Sequence, residues 1–418
     1  MLLNPRIRFF VLTLLVFLLS FAGCSTVWHY LAPAETDISF YQPPTSKETL
    51  SNPVGERPKN IILCIGDGMG INQIALARQA AVGADGRLWM ERMPYTALVC
   101  THNIRGEVTD SAAGITALMY GIKTRNDRIG QDSKGADWMS IAERLQQNGY
   151  RIGAVATSTI THATPAGLAA HIHDRDLEAQ IAVQLLESRA DVLLGGGRKY
   201  WLPQPQGSRT DGRNLLAEAE AAGWRIVSTR EQMETAPSGR VLGFFAWDAM
   251  TTLPPEPTLA EMTRAALRIL SGSSPQKPFF LLMEGSQIDW CCHSNDAKAA
   301  VRQTLLFDTA VRETLEFAAA DKQTLVLVTA DHETGGLTLY GGGLKPNWMK
   351  TEWSSKNHSN GPVILLAFGP GAEHFTGVLD NTDIPRRIAR LLGISDFPKP
   401  RQKQSAAAHA ALETARLN

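Results

Sequence analysis

The sequence predicts an α/β fold, a three-layer sandwich with a central, mostly parallel sheet between helices. Short, continuous apolar runs recur along the chain, the pattern of strands buried on both faces. Helical periodicities stand between several of these runs. Acidic residues and histidines gather just beyond the runs, where open α/β sheets place their ligands.

At the N-terminus, Arg6 and Arg8 precede an apolar run over 9–21, followed by Ala22-Gly23-Cys24. A short basic region, an apolar core and small residues describe an export signal over 1–23. The run is short for a membrane span. The ending Ser20-Phe21-Ala22-Gly23-Cys24 resembles a bacterial lipobox, which implies lipid attachment at Cys24. Ser25 follows in place of an acidic residue, which suits the outer membrane. The expectation is an exported protein, held by its lipid to a membrane and facing the periplasm or cell exterior. Residues 24–57, rich in Pro, Ser and Thr, read as a tether.

The domain is expected over 58–397. Its first strand is Asn60–Gly66, and further runs lie at 152–156, 191–194, 241–245, 279–283, 324–329 and 363–368. Helical patterns fall at 138–148, 177–188, 215–222, 259–270, 297–319 and 382–392. Segments 203–211 and 341–360 read as loops, and 398–418 as a polar tail. The 418 residues are 44% hydrophobic and 20% charged, a soluble globular profile. Lys plus Arg equals Asp plus Glu at 41 each, which points away from a nucleic-acid partner. Of the five cysteines, Cys64 and Cys100 sit in strand-like runs and Cys291 and Cys292 are adjacent. Their pairing is not readable from spacing.

Functional candidates follow the runs. Asp67 lies in Gly66-Asp67-Gly68, and Glu284, Asp289 and His293 follow the run at 279. Asp331 and His332 open Asp331-His-Glu-Thr-Gly-Gly336, and His358 precedes the last run. Carboxylates converging on one sheet edge repel unless cations intervene. Carboxylate with imidazole suits zinc, and carboxylate with hydroxyl suits magnesium. In Val108-Thr-Asp110-Ser111-Ala-Ala-Gly, either Asp110 or Ser111 reads as a helix N-cap. Ser111 also reads as a nucleophile in the positive field of a helix N-terminus.

Together Asn60–Gly70, Val108–Gly114, His162-Ala-Thr-Pro-Ala, Glu284–His293, Asp331–Gly336 and His358 resemble the alkaline phosphatase family, in the same chain order. The resemblance implies a phosphomonoesterase with two zinc ions and one magnesium ion. It makes Ser111 the nucleophile. It assigns Asp289, His293 and His358 to one zinc, and Asp67, Asp331 and His332 to the other. It assigns Asp67, Thr164 and Glu284 to magnesium. Arg175 would grip phosphate and Asp110 would orient it. His162 stands where one branch of the family has aspartate and others have histidine. Trp290 stands where some relatives place lysine or histidine.

The expected reaction has two steps: Ser111 attacks phosphorus, then water hydrolyses the phosphoserine. Three divalent cations and Arg175 outweigh the carboxylates and the alkoxide, which favours a dianionic monoester over a singly charged diester. Small-molecule phosphate monoesters are the expected substrates, and relatives leave a homodimer open. The alternatives are a phosphodiesterase of the same superfamily and an inactive binding lipoprotein.

Overall fold

The computed structural model of the chain describes residues 29–30, 37–272, 277–344, 346 and 349–402. The signal segment and Cys24 lie outside the described residues. Ten strands form the main sheet: β1 (Asn60–Gly66), β2 (Tyr95–Cys100), β3 (Arg151–Thr159), β4 (Val192–Gly196), β5 (Trp224–Val227), β6 (Arg240–Phe244), β7 (Phe279–Gly285), β8 (Thr324–Thr329), β9 (Val363–Phe368) and β10 (Gly377–Asp380). Their order is β10-β2-β9-β8-β1-β7-β3-β4-β6-β5. β9 runs antiparallel to both neighbours, and every other pairing is parallel.

β1, β3, β7 and β8 are buried along their whole length, which is why their sequences run apolar without alternation. Full burial of each Leu, Ile or Val contributes roughly 1.5–3 kcal/mol. Helices Ile71–Val82 and Leu259–Gly272 each pack against Ala297–Asp321. Helices Ser111–Tyr120, Ile141–Gln147, Ala163–Ala166 and Asp383–Leu391 form a second group. β3 touches both groups, so they cover opposite faces and the sandwich has three layers.

The described part of the expected tether lies along the domain. Tyr41 Oη donates to Asp308 Oδ2 at 2.7 Å, Leu50 N donates to Arg92 O, and the Asn52 side chain brackets Gly369. The 341–360 segment, expected as a loop, contains the strand Lys350–Trp353. That strand pairs with Leu337–Tyr340 and with His29–Tyr30. Its residues are polar or half-exposed, so hydrophobic patterning does not mark it. The tail returns to the domain where Met139 N donates to Lys399 O. All four described cysteines are free thiols. Among the described residues no helix is long and apolar enough to cross a membrane.

Candidate active site and metal centre

Strand register sets the site. Ile65 of β1 faces Glu284 of β7 on one side and Thr329 of β8 on the other. Asp67, Glu284 and Asp331 therefore leave the sheet at one edge. Gly68 turns the chain with φ +69°, and a Cβ there would stand 2.8 Å from Asp289 Cα. Only glycine fits that approach without strain. Beyond β7, the helix Gln287–His293 sets Asp289 and His293 one turn apart, with Oδ2 and Nε2 at 3.2 Å.

Asp110 is the N-cap of the helix Ser111–Tyr120: its Oδ1 accepts from Ala113 N at 2.9 Å. Ser111 is the first helical residue, buried, with Oγ 3.4 Å from His332 Nε2. Asp110 Oδ2 accepts from Asp127 N at 2.9 Å and from Arg175 Nη1 at 3.3 Å. One carboxylate thus caps the serine helix and ties the arginine to it.

The candidate ligands fall into three clusters. Asp289, His293 and His358 form the first, Asp67, Asp331 and His332 the second, and Asp67, His162 and Glu284 the third; within each, one atom per residue lies within 4.8 Å of the others. His293 Nδ1 meets Lys356 O at 2.5 Å, and His358 Nδ1 meets Thr109 O at 2.9 Å. A carbonyl only accepts, so both Nδ1 atoms carry protons, and in the neutral rings both Nε2 lone pairs face inward. Those two Nε2 atoms stand 3.1 Å apart, a repulsive arrangement that a cation between them relieves.

The polar atoms themselves fit divalent cations. Both Asp67 oxygens, Glu284 Oε1, Asp331 Oδ2 and Thr164 Oγ1 are buried with no hydrogen-bond partner. Buried charges are normally paired or coordinate metals. Burial, then the charges of Asp331, Asp289 and Glu284, hold the Asp67 carboxyl well above the usual range. Burial pushes Glu284 up to about 7 against the hydrogen bond from Ser286. Burial also pushes Asp289 up, but hydrogen bonds from His293 and His358 leave it well below the ordinary value. A carboxylate group that resists ionisation in bare protein is one that bound cations would ionise.

His162 is the member of the third cluster that the ligand set read from sequence omits. Burial, then the Arg175 charge, lowers it to about 3, so it is neutral. Its Nε2 sits 3.0 Å from Arg175 Nη2. The guanidinium can only donate, so His162 Nε2 accepts and Nδ1 keeps the proton. In this arrangement His162 offers the cluster an N–H donor rather than a lone pair. The carboxylate supports were not legible either: Ser286 Oγ donates to Glu284 Oε2 at 2.6 Å, and a lone serine in a turn carries no such signal.

Known proteins resemble this chain in sequence and in fold. The alkaline phosphatase family matches residues 58–351. The chain belongs to the alkaline phosphatase family. It is 32% identical to alkaline phosphatase 4 of Bacillus subtilis, over 80% of this chain and 88% of that protein. It is 33% identical to streptomycin-6-phosphate phosphatase of Streptomyces griseus, over 80% of this chain and 91% of that protein. Among solved structures, alkaline phosphatase from the Antarctic bacterium TAB5 superposes with a TM-score of 0.74 at 34% identity, covering 81% of this chain and 99% of that one. Thermus thermophilus alkaline phosphatase gives 0.76 at 26% identity, covering 90% and 98%. Like these relatives, the chain is a phosphatase of an α/β, metal-dependent family, and its three clusters are candidate metal sites at the end of the sheet.

Proposed function

We propose that this alkaline phosphatase hydrolyses phosphate monoesters through a phosphoserine on Ser111. One observation carries the reading: Ser111 Oγ stands at a helix N-terminus, 3.4 Å from His332 Nε2, and that ring faces Asp67 and Asp331 oxygens buried without a hydrogen-bond partner. Two zinc ions would be held by Asp289, His293 and His358, and by Asp67, Asp331 and His332. A magnesium ion would be held by Asp67, Glu284 and Thr164, with His162 donating beside it. Bound there, such cations polarise phosphoryl oxygens and lower the pKa of hydroxyl groups.

The chain does the rest. Arg175 offers a planar fork for two non-bridging phosphate oxygens. The helix terminus adds positive potential. Ser111 Oγ bonds to phosphorus as the ester P–O bond breaks and the alcohol leaves. Water then attacks the phosphoserine, releases phosphate and restores Ser111. The surplus of positive charge favours a dianionic monoester over a diester. Lipid attachment at Cys24, with the enzyme held on the outer membrane and facing the periplasm or cell exterior, belongs to the same proposal; it predicts incorporation of labelled palmitate that Cys24→Ala abolishes.

The test is Ser111→Ala. Turnover of an aryl phosphate should fall by roughly three orders of magnitude or more while zinc content stays near that of the parent. Unchanged turnover removes Ser111 from the mechanism. Parent activity that is higher on an aryl diester than on its monoester supports the diesterase instead.

A further inference from the structure

Thr334 stands between the first two clusters and belongs to neither ligand set. Its Oγ1 donates to Asp289 Oδ1 at 2.5 Å and lies 3.2 Å from His332 Nδ1. The residue is fully buried. Its N donates to Gly68 O at 3.2 Å, and its carbonyl accepts from Gln73 Nε2 at 2.8 Å. It is also the ladder partner of His358 in the short pairing of Glu333–Thr334 with His358–Ser359. A Cβ on Gly68 would come within 2.7 Å of Thr334 Oγ1, so the glycine leaves the room that the hydroxyl fills. The backbone is pinned on both sides, and the hydroxyl has no free swing.

A hydroxyl has one proton, and an ionised carboxylate only accepts. The Thr334 proton therefore goes to Asp289, and Oγ1 is left to accept from His332 Nδ1–H. His332 Nε2 then keeps its lone pair, directed among Asp67 Oδ1 at 3.6 Å, Asp331 Oδ2 at 3.3 Å and Ser111 Oγ at 3.4 Å. His293 and His358 take their tautomers from backbone carbonyls. His332 takes its tautomer from a side chain that also touches the other cluster.

We infer that Thr334 is a positioning residue that couples the two clusters: one hydroxyl sets the tautomer of His332 in one and the orientation of Asp289 in the other. The inference rests on the metal reading proposed above. Partners behind metal ligands typically matter 10- to 100-fold in affinity. Because the hydroxyl serves both clusters, its removal weakens both.

The test uses the full chain. Thr334→Val removes the hydroxyl at nearly constant shape, and Thr334→Ser keeps it. Zinc binding is measured by competition with a chromophoric chelator, and the tautomer of His332 by nitrogen–proton correlation spectra of the metal-free chain at mildly alkaline pH. Thr334→Val should weaken both zinc equivalents by roughly 10- to 100-fold and mix the His332 tautomers, while Thr334→Ser stays within roughly threefold of the parent. Loss confined to one equivalent, parent affinity in Thr334→Val, or a parent His332 protonated on Nε2 overturns the coupling. The parent spectrum decides even if Thr334→Val does not fold. A parent chain that takes up no zinc overturns the metal reading itself, and the coupling with it, whatever the tautomer.

Discussion

Arg175 is positioned by two unlike partners, the Asp110 carboxylate at 3.3 Å and the neutral His162 ring at 3.0 Å. Burial works against its charge, but Asp110 and Asp67 raise its pKa above the ordinary value. The group is a permanent cation presented as a fork. Lysine would keep the charge and lose the fork. Arg175→Lys should therefore lower kcat/KM for an aryl phosphate by roughly 10- to 100-fold, equivalent to roughly 1.5–3 kcal/mol for charged hydrogen bonds, with most of the change in KM. Parent kinetics in that variant would remove the bidentate grip. The pairing of Asp110 with Arg175 could be read from sequence only through family likeness. The residues are far apart in the chain, and nothing in local composition marks one for the other.

The helix Ser111–Tyr120 shows how one element serves two ends. The same sequence, Asp110-Ser111, reads equally as cap-then-helix or as nucleophile. The structure assigns the cap to Asp110, because Ser111 already has helical position and Asp110 Oδ1 meets Ala113 N. Asp110→Asn keeps a capping oxygen but gives up the charge beside Arg175; Asp110→Ala loses the cap as well and should cost about 1 kcal/mol more than Asp110→Asn. Denaturant midpoints measure both, and equal stabilities would mean that the cap contributes nothing. The strands of the main sheet were legible in proportion to their burial. β1, β8 and β9 match the expected runs end to end, since strands with apolar neighbours above and below leave an unbroken signal. β5 and β10 have four residues each, too few for a period to register. β2 alternates between exposed and buried positions along its inner residues. The helix Ile141–Gln147 starts three residues later than its pattern, where the Ser140 and Glu143 capping box sets the boundary.

At the scale of the molecule, the clustered ligands make stability depend on both cations and pH. Without cations, burial holds Glu284 up at about 7 against an ordinary 4.5, and the Asp289 hydrogen bond holds His293 up at about 8 against 6.5. Each folded group binds its proton more tightly than the unfolded chain does. Their contribution is complete below the ordinary values and is lost as pH rises through the folded ones. His162 and His332 are shifted downward and act in the opposite sense, but their gain is complete near their ordinary value of 6.5. The Tm of chelator-stripped chain should fall between about pH 6.5 and 8.5, and saturating zinc should flatten or reverse that slope because protons and cations compete for the same atoms. A metal-free Tm that climbs over this interval would contradict these assignments. By itself, the sequence determined the alternation of strands and helices, the strand that opens the domain and the residue types able to hold cations, because burial and periodicity are local. Only the tertiary structure decided that Ile65, Glu284 and Thr329 share one register, that Asp110 rather than Ser111 caps the helix, and that Thr334 touches two clusters. Those facts depend on which strands lie side by side, a choice made by packing across the whole sheet, and no stretch of chain carries it alone.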